Sequence, residues 1–247
     1  MVRITKYQKE YDVKSYEVDC HGFLRILSLM NVLQDIAVEN AAVLGLGMEI
    51  CAEHNLAWVG SNYLIQIKRL PKLHEHFKIE TWPAEAKLWG AIRDFCVKDQ
   101  SGETIIKASS QWVLIDMERR RPVMLQKYFP DYEALGERVL DTDFSKMPTV
   151  SESECKNLFQ VRFDDIDVNG HVNNAVYPVW ASESVDHNYR MTHLPAEIEL
   201  CFKKEALYGE TVEVLTSQAE NESLHTIYNQ AERVELAQCR IKWQNLG

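Results

Sequence analysis

The feature that most restricts this chain is a match between its own two halves. Val18-Asp19-Cys20-His21-Gly22-Phe23-Leu24 lies over Ile166-Asp167-Val168-Asn169-Gly170-His171-Val172, an offset of 148 from Asp19 to Asp167. Ile67-Lys68-Arg69-Leu70 lies over Phe202-Lys203-Lys204-Glu205, an offset of 135 from Leu70 to Glu205. Hydrophobic periodicity gives both halves the same order, a helix followed by strands. In the first, Leu29, Val32, Leu33, Ile36 and Val43 recur at helical spacing between Leu27 and Leu44, and Gly45 and Gly47 stop them. Asp35, Glu39 and Asn40 interrupt this stripe and are expected on a solvated edge. Strands are expected at Tyr11 to Val18, Trp58 to Lys68, Phe77 to Trp82, Trp89 to Lys98 and Thr104 to Asp116. The last two flank Asp99-Gln100-Ser101-Gly102, which is hairpin turn chemistry. In the second half a strand from Phe159 to Phe163 precedes a helical stripe of Val172, Ala175, Val176, Val179 and Trp180. Strands follow at Glu197 to Lys203, Thr211 to Ser217, Leu224 to Glu232 and Leu236 to Trp243. Between the halves the periodicity fails, and Pro122, Pro130, Gly136 and Pro148 mark a connection, with a short helix expected near Tyr132 to Val139. The order is α+β and not alternating β-α-β. The expected organisation is a first repeat over 1–116, a linker over 117–154 and a second repeat over 155–247.

The two copies have diverged unequally. His171 faces Phe23, and Glu205 faces Leu70. Asp167, Asn169 and His171 therefore crowd a tight turn that is expected to open directly into a helix, whose N-terminal N–H groups would polarise a carbonyl oxygen. Helix capping by Asp or Asn explains any one of these residues, but not a histidine and several polar partners beside an apolar stripe. On its own, Glu205 reads as a surface acid, and Lys203 and Lys204 as a solvated strand end. The asymmetry implies one site per chain, with chemistry from the second repeat and an apolar wall from the first. That layout suits a long apolar substrate with one reactive polar end. Trp58, Met30 and Met48, with Val172 and Asn173, are the candidate substrate-binding residues.

The chain has 247 residues with 37 acids against 27 bases, a net charge of −10. Such a balance argues against non-specific nucleic-acid binding, which requires neutralising phosphates. The six cysteines form no C-x-x-C pair, so they read as reduced thiols, not as a disulfide frame or a metal site. No run reaches the 18 or so consecutive apolar residues expected of a membrane span, and the first residues lack the apolar core of a signal peptide. A cytoplasmic location is expected.

The stretch Asp167-x-Asn169-x-His171-Val172-Asn173-Asn174-x-x-Tyr177-x-x-Trp180, then Glu183, resembles the signature of the acyl-ACP thioesterases, the FatA/FatB-type enzymes of plants and their bacterial relatives. Lys203-Lys204-Glu205-Ala206 resembles the basic-basic-Glu-Cys segment of that family. The resemblance implies a double hotdog fold, each repeat an antiparallel sheet wrapped around a long helix. It implies a bacterial member that hydrolyses fatty acyl thioesters on acyl carrier protein, releasing free fatty acid without a cofactor, as a monomer or homodimer. It also implies catalytic roles for Asp167, Asn169, His171 and Glu205. Ala206 departs from the pattern where many plant members carry cysteine, so a thiol nucleophile is missing there. Water is then the simplest nucleophile, with Glu205 as general base, relayed with His171. Asn169 would orient the water or the carbonyl, and backbone N–H groups near His171 and Val172 would hold the oxyanion. Asp167 either orients Asn169 or attacks the carbonyl. Acyl carrier protein is acidic, so docking would need a local basic patch, for which Lys68, Arg69, Arg119 to Arg121, Arg190, Lys203 and Lys204 are candidates. An acyl-CoA thioesterase, a hotdog hydratase or dehydratase acting on 3-hydroxyacyl thioesters, and a non-catalytic acyl-binding module are the competing readings.

Overall fold

The computed structural model describes residues 5–151 and 155–246. Residues 1–4, 152–154 and 247, which the expected boundaries at 1, 154 and 247 touch, lie outside the described residues. The chain divides into two compact units, Met1–Tyr63 with Lys68–Asp143, and Leu64–Ile67 with Phe144–Gly247. Of the expected linker, 117–143 thus belongs to the first unit and 144–151 to the second.

In the first unit, β1 (Tyr7–Asp12), a 3-10 turn (Ser15–Glu17), α1 (Ile26–Val43) and α2 (Met48–Glu53) precede β2 (Leu56–Ile67), β3 (His76–Lys87), β4 (Gly90–Asp99) and β5 (Thr104–Asp116). The two-residue β6 (Arg121–Pro122) and α3 (Leu125–Tyr128) close it. The sheet order is β1-β3-β4-β5-β2, with β6 on β5. β1, β3, β4 and β5 pair antiparallel in that order. α1 buries Leu29, Met30, Val32, Leu33, Ile36 and Ala37, the stripe that helical spacing requires. Asp35 and Glu39 lie on its open side, where both pair with Lys9. Asn40 does not join that solvated edge. It is buried, and its Oδ1 accepts a 2.6 Å bond from the buried Arg93 guanidinium. By length and composition α1 could cross a membrane. Its buried stripe and its packing on β3 and β1 make it the core helix of this unit.

The second unit runs β7 (Cys155–Gln160), a 3-10 turn (Phe163–Asp165), α4 (Tyr177–Glu183), α5 (His187–Arg190), β8 (His193–Phe202), β9 (Thr211–Gln218), β10 (Glu222–Asn229) and β11 (Glu235–Asn245). Its order, β8-β11-β10-β9-β7, repeats that of the first unit strand for strand. The repeat extends to individual hydrogen bonds. Glu17 takes the Lys14 N–H at 2.8 Å, and Asp165 takes the Arg162 N–H at the same distance. Asp19 N–H reaches Phe23 O, and Asp167 N–H reaches His171 O, both at 2.8 Å. Leu24 N–H reaches Pro71 O, and Val172 N–H reaches Ala206 O. Each pair is related by the offsets found in the sequence.

Three local expectations fail, each for a visible reason. The first strand of each half ends early, at Asp12 and Gln160, because the following residues coil into the carboxylate-capped 3-10 turns. The helix expected near Tyr132 to Val139 does not form. There the N–H groups of Leu135 and Gly136 bond to the carbonyls of Pro83 and Ala84 at 2.8 and 3.1 Å, so the segment spends its donors on β3. The helix expected to open near Val172 starts at Tyr177. Asn173 holds a turn before it, accepting from Ala175 N–H at 2.9 Å through Oδ1 and from Val176 N–H through its carbonyl. Pro178 falls in the first turn, where no N–H is needed. With 7 residues against the 18 of α1, α4 is not the long helix expected of the second repeat.

Candidate active site

The polar turn is built by Asp167. Its Oδ1 accepts the Asn169 backbone N–H at 2.8 Å, and its Oδ2 accepts the Asn169 side-chain amide at 3.2 Å. Gly170 adopts φ +80°, a left-handed conformation that costs glycine little, and its N–H closes on Asp167 O at 3.0 Å. These bonds send the chain back so that Ile166 and Val172 bridge. His171 is therefore presented from a closed loop.

A second segment is fastened to that loop. Val172 N–H donates to Ala206 O at 3.0 Å. Ala206 N–H donates to the Tyr177 hydroxyl at 3.2 Å. Glu205, immediately before Ala206, is held beside His171, with 3.5 Å between His171 Nε2 and Glu205 Oε2. That is ion-pair range, longer than the ~2.7–3.2 Å of a hydrogen bond. The two side chains are 28% and 39% exposed, so solvent reaches both.

Tyr177 was not singled out as a site residue from the sequence, although it stands inside the polar signature. Its ring is buried between Trp180 and Phe202. Burial is the main cause that raises its hydroxyl pKa; the Ala206 N–H acts against it, and the nearby Glu205, Glu210 and Asp167 carboxylates add to it. The hydroxyl thus stays protonated and fixes the backbone next to Glu205. A tyrosine one helical turn before Trp180 was the available signal.

The structure brings Asp167, Asn169, His171 and Glu205 together. It changes the expected oxyanion site, because the Val172 N–H is bonded to Ala206 O and the helix begins beyond it. Val172 is buried, and Asn173 serves the local fold, its N–H bonded to Asp165 O at 2.9 Å. In the first unit Met30 is fully buried on α1. Trp58 stacks on Phe129 at 6.3 Å and donates its indole N–H to Leu46 O. Met48 is exposed on α2, the reverse of a buried wall residue. Five of the candidate carrier-docking bases have acid partners, Arg190 pairing with Glu183, while Arg119 to Arg121 are exposed. Lys68 pairs with Glu103, and Arg69 with Glu75 and Asp99. Lys203 pairs with Glu235 at 2.6 Å and Lys204 with Glu232 at 3.0 Å. The positive charge of these five is largely balanced in place. Among the described residues no group of three or more His, Cys, Asp or Glu side chains is arranged to hold a metal.

Residues 4–131 match the acyl-ACP thioesterase N-terminal domain, and residues 149–245 match the C-terminal domain of the same family. The chain belongs to the acyl-ACP thioesterase family. An acyl-[acyl-carrier-protein] hydrolase of Cuphea viscosissima (FATB3, chloroplastic) is 26% identical over 257 residues, 96% of this chain and 62% of that protein. Oleoyl-acyl carrier protein thioesterase 2 of Arabidopsis thaliana is 27% identical, covering 87% of this chain and 64% of that one. The chain thus spans under two thirds of the length of these curated relatives. An acyl-ACP thioesterase from Bacteroides thetaiotaomicron superposes with a TM-score of 0.88 at 22% identity, covering 97% of this chain and 98% of that one. The 12:0-ACP thioesterase of Umbellularia californica gives 0.85 at 21% identity, with 98% of each chain covered. The fold is the α+β double hotdog of this family, with the second repeat carrying a shortened helix.

Proposed function

We propose that this chain hydrolyses the thioester of a fatty acyl chain carried on acyl carrier protein, releasing the free fatty acid and ending chain growth. The observation that carries the proposal is the His171–Glu205 pair, at 3.5 Å, set against the turn that holds Asn169. A thioester needs a nucleophile, a stabilised oxyanion and a protonated leaving thiol. Water attacks the carbonyl carbon while the Glu205 carboxylate takes its proton, with His171 sharing the charge. The new C–O bond forms and the C–S bond breaks. The proton then passes from Glu205, by way of His171, to the departing thiolate. Both carboxylate oxygens of Asp167 are engaged with Asn169, which favours the orienting role over attack on the carbonyl. One side-chain N–H of Asn169 is spent on Asp167, and the other is assigned to the oxyanion. The cytoplasmic placement belongs to the same proposal and draws support from the buried free thiols of Cys51, Cys96 and Cys239.

The test is thiol release from medium- and long-chain acyl-ACP, with the matching acyl-CoA alongside. Glu205→Gln is expected to lower kcat by about a hundredfold or more, in line with loss of a general base, while leaving KM nearly unchanged. Unaltered turnover in Glu205→Gln would remove the base from the scheme. Faster release from CoA would reassign the carrier, and no release from any thioester would end the hydrolase reading.

A further inference from the structure

We infer that an exposed apolar rim around the polar turn is the surface on which the protein body of the acyl carrier docks, in place of a basic patch. The inference rests on the acyl-ACP reading above. The rim consists of Phe163, Val168, Leu207 and Tyr208, which are 78%, 89%, 47% and 66% exposed. Phe163 opens the 3-10 turn that leads into the polar turn, and its ring meets that of Tyr208 edge-on at 6.2 Å. Val168 is the tip of the turn, between Asp167 and Asn169. Leu207 and Tyr208 follow Glu205 and Ala206. The two segments that carry the catalytic groups thus also carry the rim.

The duplicated chain supplies an internal control. The same turn is built in the first unit with the same backbone bonds. There, Phe163 is replaced by Ser15, Val168 by Cys20 and Leu207 by Lys72, while Leu73, itself 38% exposed, stands for Tyr208. The exposed Tyr16 of the first unit corresponds to Asp164 and lies outside the rim positions. Phe23 and Leu70 occupy the catalytic positions of that copy. The fold of the turn therefore does not demand exposed apolar residues. At three of the four positions the large apolar side chain occurs only in the copy that carries the reactive groups, as expected if these side chains serve the substrate. Clustered exposed apolar side chains are a usual mark of an interaction site, and aromatic residues are favoured in such sites.

Two observations select the occupant. A second copy of this chain seated permanently on the rim would cover His171 and Glu205 and keep substrate out. A partner that arrives with the thioester and leaves with the thiol does not have that conflict. The basic alternative is weakened because Lys203 and Lys204, on the same segment as Leu207, are paired with Glu235 and Glu232. The partner is thus a small carrier protein that presents apolar side chains around the root of its pantetheine arm.

The test compares one acyl chain on two carriers: acyl carrier protein, and pantetheine without protein. The variants are Phe163→Ser with Tyr208→Ser, and separately Val168→Lys, each checked for an unchanged thermal midpoint. The expected result is a fall in kcat/KM of about tenfold or more for the acyl-ACP, carried by KM, with the acyl-pantetheine rate unchanged. Equal loss on both substrates would overturn the proposal and make the rim a support for the catalytic turn. Unchanged rates on both would also overturn it. So would sedimentation showing that the wild type is a dimer and the Phe163→Ser/Tyr208→Ser variant a monomer, which would make the rim a contact between copies. Wild-type protein that cleaves acyl-pantetheine but not acyl-ACP would instead fail the carrier reading itself.

Discussion

Tyr177 shows how one buried hydroxyl can serve chemistry it does not perform. Ala206 is the buried residue of an otherwise exposed stretch beside Glu205, and the tyrosine oxygen is the acceptor of its N–H at 3.2 Å. A buried N–H stripped of its acceptor costs about 1–3 kcal/mol. Tyr177→Phe removes only that acceptor and keeps the ring packing against Trp180 and Phe202. The expected outcome is a thermal midpoint lower by several degrees. Because Glu205 is displaced relative to His171, kcat should also fall, by about tenfold, with KM little changed. Differential scanning fluorimetry and steady-state kinetics on the same sample check both parts. A variant that loses stability but keeps full kcat would show that the hydroxyl acts on the fold alone.

At the scale of elements, the two polar turns separate folding from catalysis. Asp19 accepts the N–H groups of His21 and Phe23 at 2.9 and 3.0 Å, as Asp167 accepts that of Asn169. Each carboxylate therefore closes a turn, and replacing either by alanine should cost roughly 1 kcal/mol. Only Asp167 also grips a side-chain amide next to the reactive histidine. Asp19→Ala is expected to lower the unfolding midpoint and leave turnover of the folded enzyme intact. Asp167→Ala should lower the midpoint by a similar amount and also remove most of kcat. Loss of turnover in a well-folded Asp19→Ala protein would contradict this division. The same elements show what the sequence carried. β5 spans the expected Thr104 to Asp116, bounded by its turn residues, and α1 follows its apolar stripe, because burial on one helix face writes the period directly into the residues. The start of α4 was hidden because Val172 and Ala175 are buried without being helical, a tertiary effect that mimics helical spacing. The missing helix near Tyr132 was hidden for the complementary reason: its donors go to carbonyls of β3 far away in sequence. The catalytic positions were legible as a contrast between copies, His171 against Phe23 and Glu205 against Leu70. The oxyanion assignment was not, since it depended on where the Val172 N–H points.

For the whole molecule, the net charge of −10 constrains how an acidic carrier can approach. Two like-charged proteins repel at long range, and steering by a basic patch is the usual remedy. Here Lys68, Arg69, Lys203 and Lys204 are each matched by a carboxylate. The net field that reaches a distant partner is negative, and on the docking proposal short-range apolar contact supplies the affinity. Salt distinguishes the two regimes. Raising ionic strength from about 0.01 to 0.15 M shortens the screening length from about 30 to 8 Å. If attraction between opposite charges governs encounter, kcat/KM for acyl-ACP should fall steeply over that range. If apolar docking governs it against net repulsion, kcat/KM should hold level or rise, since salt removes the repulsion and leaves burial of Phe163, Leu207 and Tyr208 intact. The second outcome is expected, with acyl-pantetheine as the salt-insensitive reference. A tenfold fall confined to acyl-ACP would instead mean that the paired lysines open toward the carrier when it arrives. Lys203→Glu and Lys204→Glu would then be the variants that abolish the salt dependence.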